Sequence, residues 1–311
     1  MIGELRKGKE LATYYVDMDA TDQADFVSDA LRRLVLPGED APCVCVLDGG
    51  VNRAHPLLKP ALAEEDQHAA KADWGVSDDH QHQHGTGMAG LSLFGCLTEM
   101  MRETGRIRLR HILESVKILP PPRAKNEPPD YGRRMQDGVA LAHVQASKRN
   151  RTLCMAVTTP DHRDGGVPSL WSGSVDDLCS GGFDGARRLM FISAGNMREE
   201  ICEKDFVYHD WNVTRGGIED PGQAWNALTV GAFTEKVEIQ HETLREYEPV
   251  AESGGICPTS RTSLAWPREA AGRLAHQTRP CNGRWKWQRR SESKQIRQYV
   301  PSVKLLAYYF S

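Results

Sequence analysis

Long apolar runs are missing from this 311-residue chain. Met1 to Asp17 mix charges with short apolar pieces, so neither a secretory leader nor a membrane span is expected there, and the expected location is the cytoplasm. Metal-ligand spacing is missing too. The eight cysteines are scattered at 43, 45, 96, 154, 179, 202, 257 and 281, and Cys43 and Cys45 lie in an apolar strand pattern, so buried free thiols in a reducing compartment are expected. No Asp/Asn-rich loop of the calcium-binding kind stands out, and no cofactor is expected. Neither disorder nor a fibrous repeat is visible. Hydrophobic residues make up 40%, enough for one sizeable core, or one core with a lobe attached.

The formal charge of −3 at pH 7 conceals an asymmetry. Arg268 to Ser311 hold ten Lys or Arg and two acidic residues, which leaves 29 basic against 40 acidic residues for 1–267. Such a break marks either a nucleic-acid-binding tail or a segment foreign to the fold.

In chain order, Ala24 to Val35 places apolar residues at helical spacing until Pro37-Gly38 stops it, which predicts a packing helix ahead of the core. Cys43-Val-Cys-Val-Leu-Asp48 is an apolar run of strand length that ends in an acid and two glycines. A buried parallel strand delivers a carboxylate to the carboxyl edge of a sheet in this way, although an Asp that only begins a turn fits the same residues. A helix opens at His84 and runs through Met88, Leu91 and Leu93 to about Gly95. Glu114 to Leu119 reads as a strand closed by prolines, and Tyr131 to Ala146 as a helix. Leu153 to Val157 is the next strand, Ser169 to Leu178 the next helix, Arg188 to Asn196 a strand ending in small residues and an amide, and Ala227 to Ala232 one more strand. Alternating strands and helices predict a mostly parallel sheet covered on both faces, an α/β three-layer fold. Asp48, His84 and Asn196 would gather at one edge of it.

The stretch Asp79-His-Gln-His-Gln-His84-Gly-Thr-Gly-Met-Ala-Gly90 carries the most information. Glycines after a histidine let a helix start pressed against its neighbours, so an imidazole is held at a buried helix mouth. A surface histidine in a polar turn is the plain alternative. His80, His82 and His84 also alternate, which on an extended segment would align three imidazoles for a metal-dependent hydrolase, with no nearby carboxylate or cysteine set to complete the site.

Val44-Cys-Val-Leu-Asp48-Gly-Gly-Val-Asn-Arg-Ala-His55-Pro-Leu-Leu resembles the aspartate motif of subtilisin-like serine peptidases, the subtilases, and His84-Gly-Thr-Gly-Met-Ala-Gly90 resembles their histidine motif. Phe191-Ile-Ser-Ala-Gly-Asn196 is similar to the segment carrying the oxyanion-hole asparagine, and Asn226 to Ala232 to the strand after it. The four motifs keep the family's order and cover roughly residues 40 to 235. The resemblance implies a subtilisin-like fold, a polypeptide substrate and hydrolysis of peptide bonds through an Asp/His/Ser triad. His84 would be the general base, Asp48 would hold its tautomer, and Asn196 would donate to the oxyanion.

The serine does not follow as readily. Ser263, in Arg261-Thr-Ser-Leu-Ala-Trp-Pro267, fits only the tail of the family's nucleophile motif. Arg261 stands where a glycine should precede the threonine, and the Lys-Pro-Asp segment expected beforehand is missing between Ala232 and Arg261. Codons compatible with Leu274 to Gln288, read from their second base, spell Trp-Pro-Ile-Lys-Pro-Asp-Leu-Val-Met-Glu-Gly-Gly-Asn-Gly, which contains that segment. The expectation is an N-terminal extension with a packing helix over 1–40 and an incomplete peptidase domain over 41–266. A basic tail over 267–311 would then be out of frame and disordered, with the nucleophile encoded beyond the chain. An inactive fragment, or a binding protein whose tail contacts nucleic acid through Arg, Lys and Trp, is the alternative.

Overall fold

The structure, a computed structural model, describes residues 18–159, 167–197, 216–234, 247–249, 251–262, 278–282 and 287–289. Asp19 opens the first helix, α1 (Ala20–Arg33), and its carboxylate accepts the Thr21 and Asp22 N–H groups at 2.9 Å each. Those donors have no partner inside the helix, which is why an acidic cap fixes the start there, four residues before the apolar periodicity begins. There follow β1 (Leu34–Val35), β2 (Cys43–Asp48), β3 (Gln67–Ala69), α2 (His84–Phe94), α3 (Leu97–Arg102), β4 (Ile107–Arg108), β5 (Ile112–Lys117) and α4 (Tyr131–Gln145). The chain continues through β6 (Arg151–Met155), α5 (Leu170–Ser180), β7 (Leu189–Ser193), β8 (Leu228–Phe233), β9 (Tyr247–Pro249), β10 (Thr278–Asn282) and β11 (Trp287–Arg289).

Seven strands form one sheet in the order β10-β8-β7-β6-β2-β5-β3, with every neighbouring pair parallel. Residues two apart on a strand share a face, and β2 shows what each face buries. Cys45 and Leu47 join a cluster with Met135 and Val139 of α4 and Val175 and Leu178 of α5. Val46, with Val44 beside it, joins Ala30 of α1, Ala89 and Leu93 of α2 and Leu97 of α3. Both faces are therefore covered, and the fold is a three-layer α/β arrangement with a mostly parallel sheet.

At the amino end of the strands an ionic cluster ties elements from different layers. Glu114 of β5 is fully buried and accepts from Arg149 at 2.6 Å and from both Nε and Nη2 of Arg151. Arg149 also reaches Asp66 at 2.6 Å, and Arg151 donates to the Ala142 and Ala146 carbonyls at the end of α4. Burial alone would raise the Glu114 carboxyl, but the Arg151 and Arg149 contacts outweigh it and hold it below the usual carboxylate range.

Two strands fall in the stretch that the sequence sets outside the fold. β10 lies at the sheet edge, parallel to β8 over five paired residues, and β11 pairs antiparallel with β9. Pro280 is in the middle of β10, a position that an edge strand tolerates because one side of its ladder is open.

Candidate active site

β2 carries its last residue, Asp48, to the carboxyl edge of the sheet. The side chain is 2% exposed there, and its Oδ1 accepts the Gly49 N–H at 2.7 Å. Its Oδ2 lies 2.8 Å from Nδ1 of His84, the first residue of α2. The imidazole is 38% exposed. One end of the pair is thus dry and the other is open to solvent, the arrangement a proton-transferring histidine needs.

The close approach depends on glycine at one position in particular. A Cβ on Gly85 would stand 3.0 Å from the Asp48 Cβ and would overlap the Gly50 carbonyl oxygen. The start of α2 is pressed onto the β2 edge there, and no larger residue leaves His84 within reach of Asp48.

α2 is capped unusually. Its N-cap, Gln83, is in the left-handed region at φ 43° and makes no side-chain cap. Asp78 supplies the cap from the preceding loop: its Oδ2 accepts the Thr86 N–H at 2.9 Å and the Thr86 hydroxyl at 3.1 Å. The Thr86 oxygen in turn accepts the Asn52 N–H at 3.0 Å. Asn52 and Asp78 exchange two further bonds, Asn52 Nδ2 to the Asp78 carbonyl and the Asp78 N–H to Asn52 Oδ1, each 3.1 Å. A buried carboxylate at a helix N-terminus also suits the helix dipole. Sequence reasoning missed Asp78, Thr86 and Asn52. The signal for a local cap lies within three residues of a helix start, whereas Asp78 reaches Thr86 across a loop.

The alternating histidines go to three different places. His84 pairs with Asp48, and His82 is exposed. The His80 ring lies over Gly49, where a Cβ would meet its Cδ2 at 2.6 Å. Among the described residues no three His, Cys, Asp or Glu side chains gather in a way that could hold a metal ion.

Asn196 follows β7 on the same edge, with β6 lying between β7 and β2. Gly195 makes the turn at φ 94°. The Asn196 backbone bridges to Ser260, and its carbonyl accepts from Arg261 Nε at 3.2 Å. Arg261 is buried and paired with Glu219 at 2.9 Å, and the Thr158 hydroxyl donates to the other Glu219 oxygen at 2.6 Å. The Asn196 carboxamide is half-buried and has no hydrogen-bond partner among the described residues. Ser263 lies outside the described residues. Between the ends of β5 and β6 a cavity of about 290 Å³ is lined by Ile118, Leu119, Tyr131, Val157, Thr158 and Trp171 among others.

A model of the subtilase family matches residues 39–288. The chain belongs to the subtilase family. Its match begins just before β2, takes in Asp48, His84 and Asn196, and runs on past Trp266. Among solved structures, a psychrophilic protease shares 22% identity at a TM-score of 0.41, over 65% of this chain and 57% of that one. A lanthipeptide protease shares 16% at 0.41, over 81% of this chain and 63% of that one. The epidermin leader peptide processing serine protease from Staphylococcus aureus shares 14% at 0.35, over 66% of this chain and 49% of that one. This subtilase chain therefore spans between about half and five-eighths of the length of those proteases. No curated protein matches it. Membership carries a serine-peptidase chemistry and a polypeptide substrate for the family. Among the described residues no helix is long and apolar enough to cross a membrane.

Proposed function

We propose that Asp48 and His84 are the acid and base of a subtilisin-like serine endopeptidase. The observation that carries this reading is the 2.8 Å contact between a buried Asp48 carboxylate and Nδ1 of a half-exposed His84. With its Nδ1–H donating a hydrogen bond to Asp48, the imidazole presents Nε2 as the acceptor for a serine hydroxyl proton, and the Asp48 carboxylate stabilises the imidazolium that forms. Asn196, two strands along the same edge, has a carboxamide available to donate to a tetrahedral oxyanion, a contact that removal costs about 3–4 kcal/mol in the known subtilisin example. The apolar cavity beside Trp171 and Tyr131 supplies a place for one substrate side chain. Buried thiols at Cys43 and Cys45 suit a reducing, cytoplasmic setting.

The nucleophile is a separate proposal. Arg261, where a glycine is expected, is tied to Glu219 and to the Asn196 carbonyl, so it anchors the oxyanion segment instead of opening a nucleophile turn. The Lys-Pro-Asp segment in the alternative reading of residues 274–288 supports a frame change after Trp266. The 311-residue chain then holds base and acid without its serine and has no peptidase activity. The family match runs on to residue 288 and takes in part of the same stretch, so the two readings divide over 267–288 and the DNA sequence across those codons decides between them. In a frame-restored protein, His84→Ala is expected to lower turnover by several orders of magnitude with the fold intact, since the triad acts as a unit. Unchanged turnover in that variant would remove His84 from the mechanism.

A further inference from the structure

Lys117, the last residue of β5, is fully buried, with no part of its side chain exposed. It stands in register with Asp48 on the neighbouring strand, so its stem starts beside the acid of the proposed pair. The ammonium donates to Asp79 Oδ1 at 2.6 Å and to the Ser77 carbonyl at 2.9 Å. These two anchors flank Asp78, the residue whose carboxylate caps α2 at Thr86. The next residue, Ile118, gives its N–H to the Asp48 carbonyl at 2.8 Å. Residues 117 and 118 thus hold the acid from one side and the loop that sets the base from the other.

An ammonium taken wholly out of water is unfavourable unless it is paired, and an apolar side chain of the same volume often serves a core equally well. A lysine at this place therefore points to orientation more than to stability. Asp79 is 40% exposed, so its carboxylate can be hydrated when the lysine is removed, and the fold does not depend on the lysine.

We propose that Lys117 is a positioning residue: by pinning the loop at 77 and 79 it holds the Asp78 cap, and through it His84, in line with Asp48. This rests on reading Asp48 and His84 as a working pair, but it is tested without peptidase activity. Histidine-labelled samples of the 311-residue chain are compared by nitrogen NMR with Lys117→Met, Asp79→Asn and the double variant. Wild type is expected to show His84 as the Nδ1-protonated tautomer with a downfield proton held by Asp48. Lys117→Met is expected to lose the downfield proton and mix the tautomers while the melting temperature holds. Asp79→Asn, which leaves the buried ammonium facing a neutral amide oxygen in place of its counterion, is expected to lower the melting temperature and move the same signals in the same direction, and the double variant to regain the melting temperature and add nothing to the His84 change beyond Lys117→Met.

An unaltered His84 signature in folded Lys117→Met overturns the proposal. If Lys117→Met does not fold, Asp79→Asn decides alone, and a wild-type His84 spectrum in that variant overturns it equally. Loss of the pair in these variants together with unchanged turnover in frame-restored His84→Ala would sink the peptidase reading and leave the positioning role of Lys117 standing.

Discussion

Replacing Gly85 by alanine sets two effects of opposite sign against each other. Inside a helix, alanine is favoured over glycine by roughly 0.8–1 kcal/mol, and Gly85 is the second residue of α2. The added methyl would overlap the Gly50 carbonyl and stand 3.0 Å from the Asp48 Cβ, so the start of α2 has to retreat by about 1 Å to reach ordinary contact distance. Overpacking of this kind costs about 1–3 kcal/mol. The neighbours that would have to give way are backbone and a buried aspartate, so the upper half of that range applies, and net destabilisation of about 1–2 kcal/mol is expected. The same retreat takes the His84–Asp48 contact from 2.8 Å to beyond hydrogen-bonding distance. Gly173, in the exposed part of α5, is the matched control, because a Cβ there meets nothing within 4 Å. Urea titrations should show Gly173→Ala with a raised midpoint and Gly85→Ala with a lowered one, and NMR should show the His84 proton lost only in the second. If both substitutions raise the midpoint alike, the close approach of α2 to β2 is not what the structure shows, and the account of the site fails with it.

Glu114→Gln should cost about 3–5 kcal/mol at neutral pH, because it leaves the buried Arg151 without its counterion. The Glu114 carboxyl is held below its ordinary range in the fold, so its contribution is full above that range and is lost as pH falls through the depressed value; melting temperatures of the two proteins should converge in acid, and a gap independent of pH would refute the assignment. Burial pushes the Cys43 thiol up to about 12 and the Cys179 thiol up to about 11, and holds Cys45 well above its ordinary value, so all three stay protonated at pH 8. Iodoacetamide should therefore modify exposed Cys96 in the native protein and reach these three only after denaturation, as peptide mass mapping would report. Rapid native modification of Cys43 would contradict the packing of β2.

Asp48 and His84 were legible because each sits at a junction of two patterns, an apolar strand ending in an acid and a glycine-rich helix start. The three-layer fold followed from the same alternation. Boundaries were less legible where hydrogen bonding overrode hydropathy. The apolar pattern places β5 at Glu114 to Leu119, but it spans Ile112–Lys117, since the Ile118 and Leu119 N–H groups turn to the Asp48 carbonyl at 2.8 and 3.3 Å. The edge strand β3, Gln-His-Ala, has no apolar alternation to betray it. Lys117 stands between apolar residues with no partner near it in sequence, and only the fold shows that Ser77 and Asp79 come to meet it. Asp78 was hidden for the same reason, because caps that cross a loop leave no fixed spacing in sequence.

Fluorophosphonate labelling followed by peptide mapping reads out whether Asp48 and His84 activate a serine, because the probe bonds to a serine activated by its base and acid. The 311-residue chain should remain unlabelled, the frame-restored protein should take one label on one serine, and His84→Ala in that protein should abolish it. Stoichiometric labelling of the 311-residue chain at Ser263 would contradict the account, as it would show that Thr262-Ser263-Leu264-Ala265 is a working nucleophile segment and that the frame change has no functional consequence.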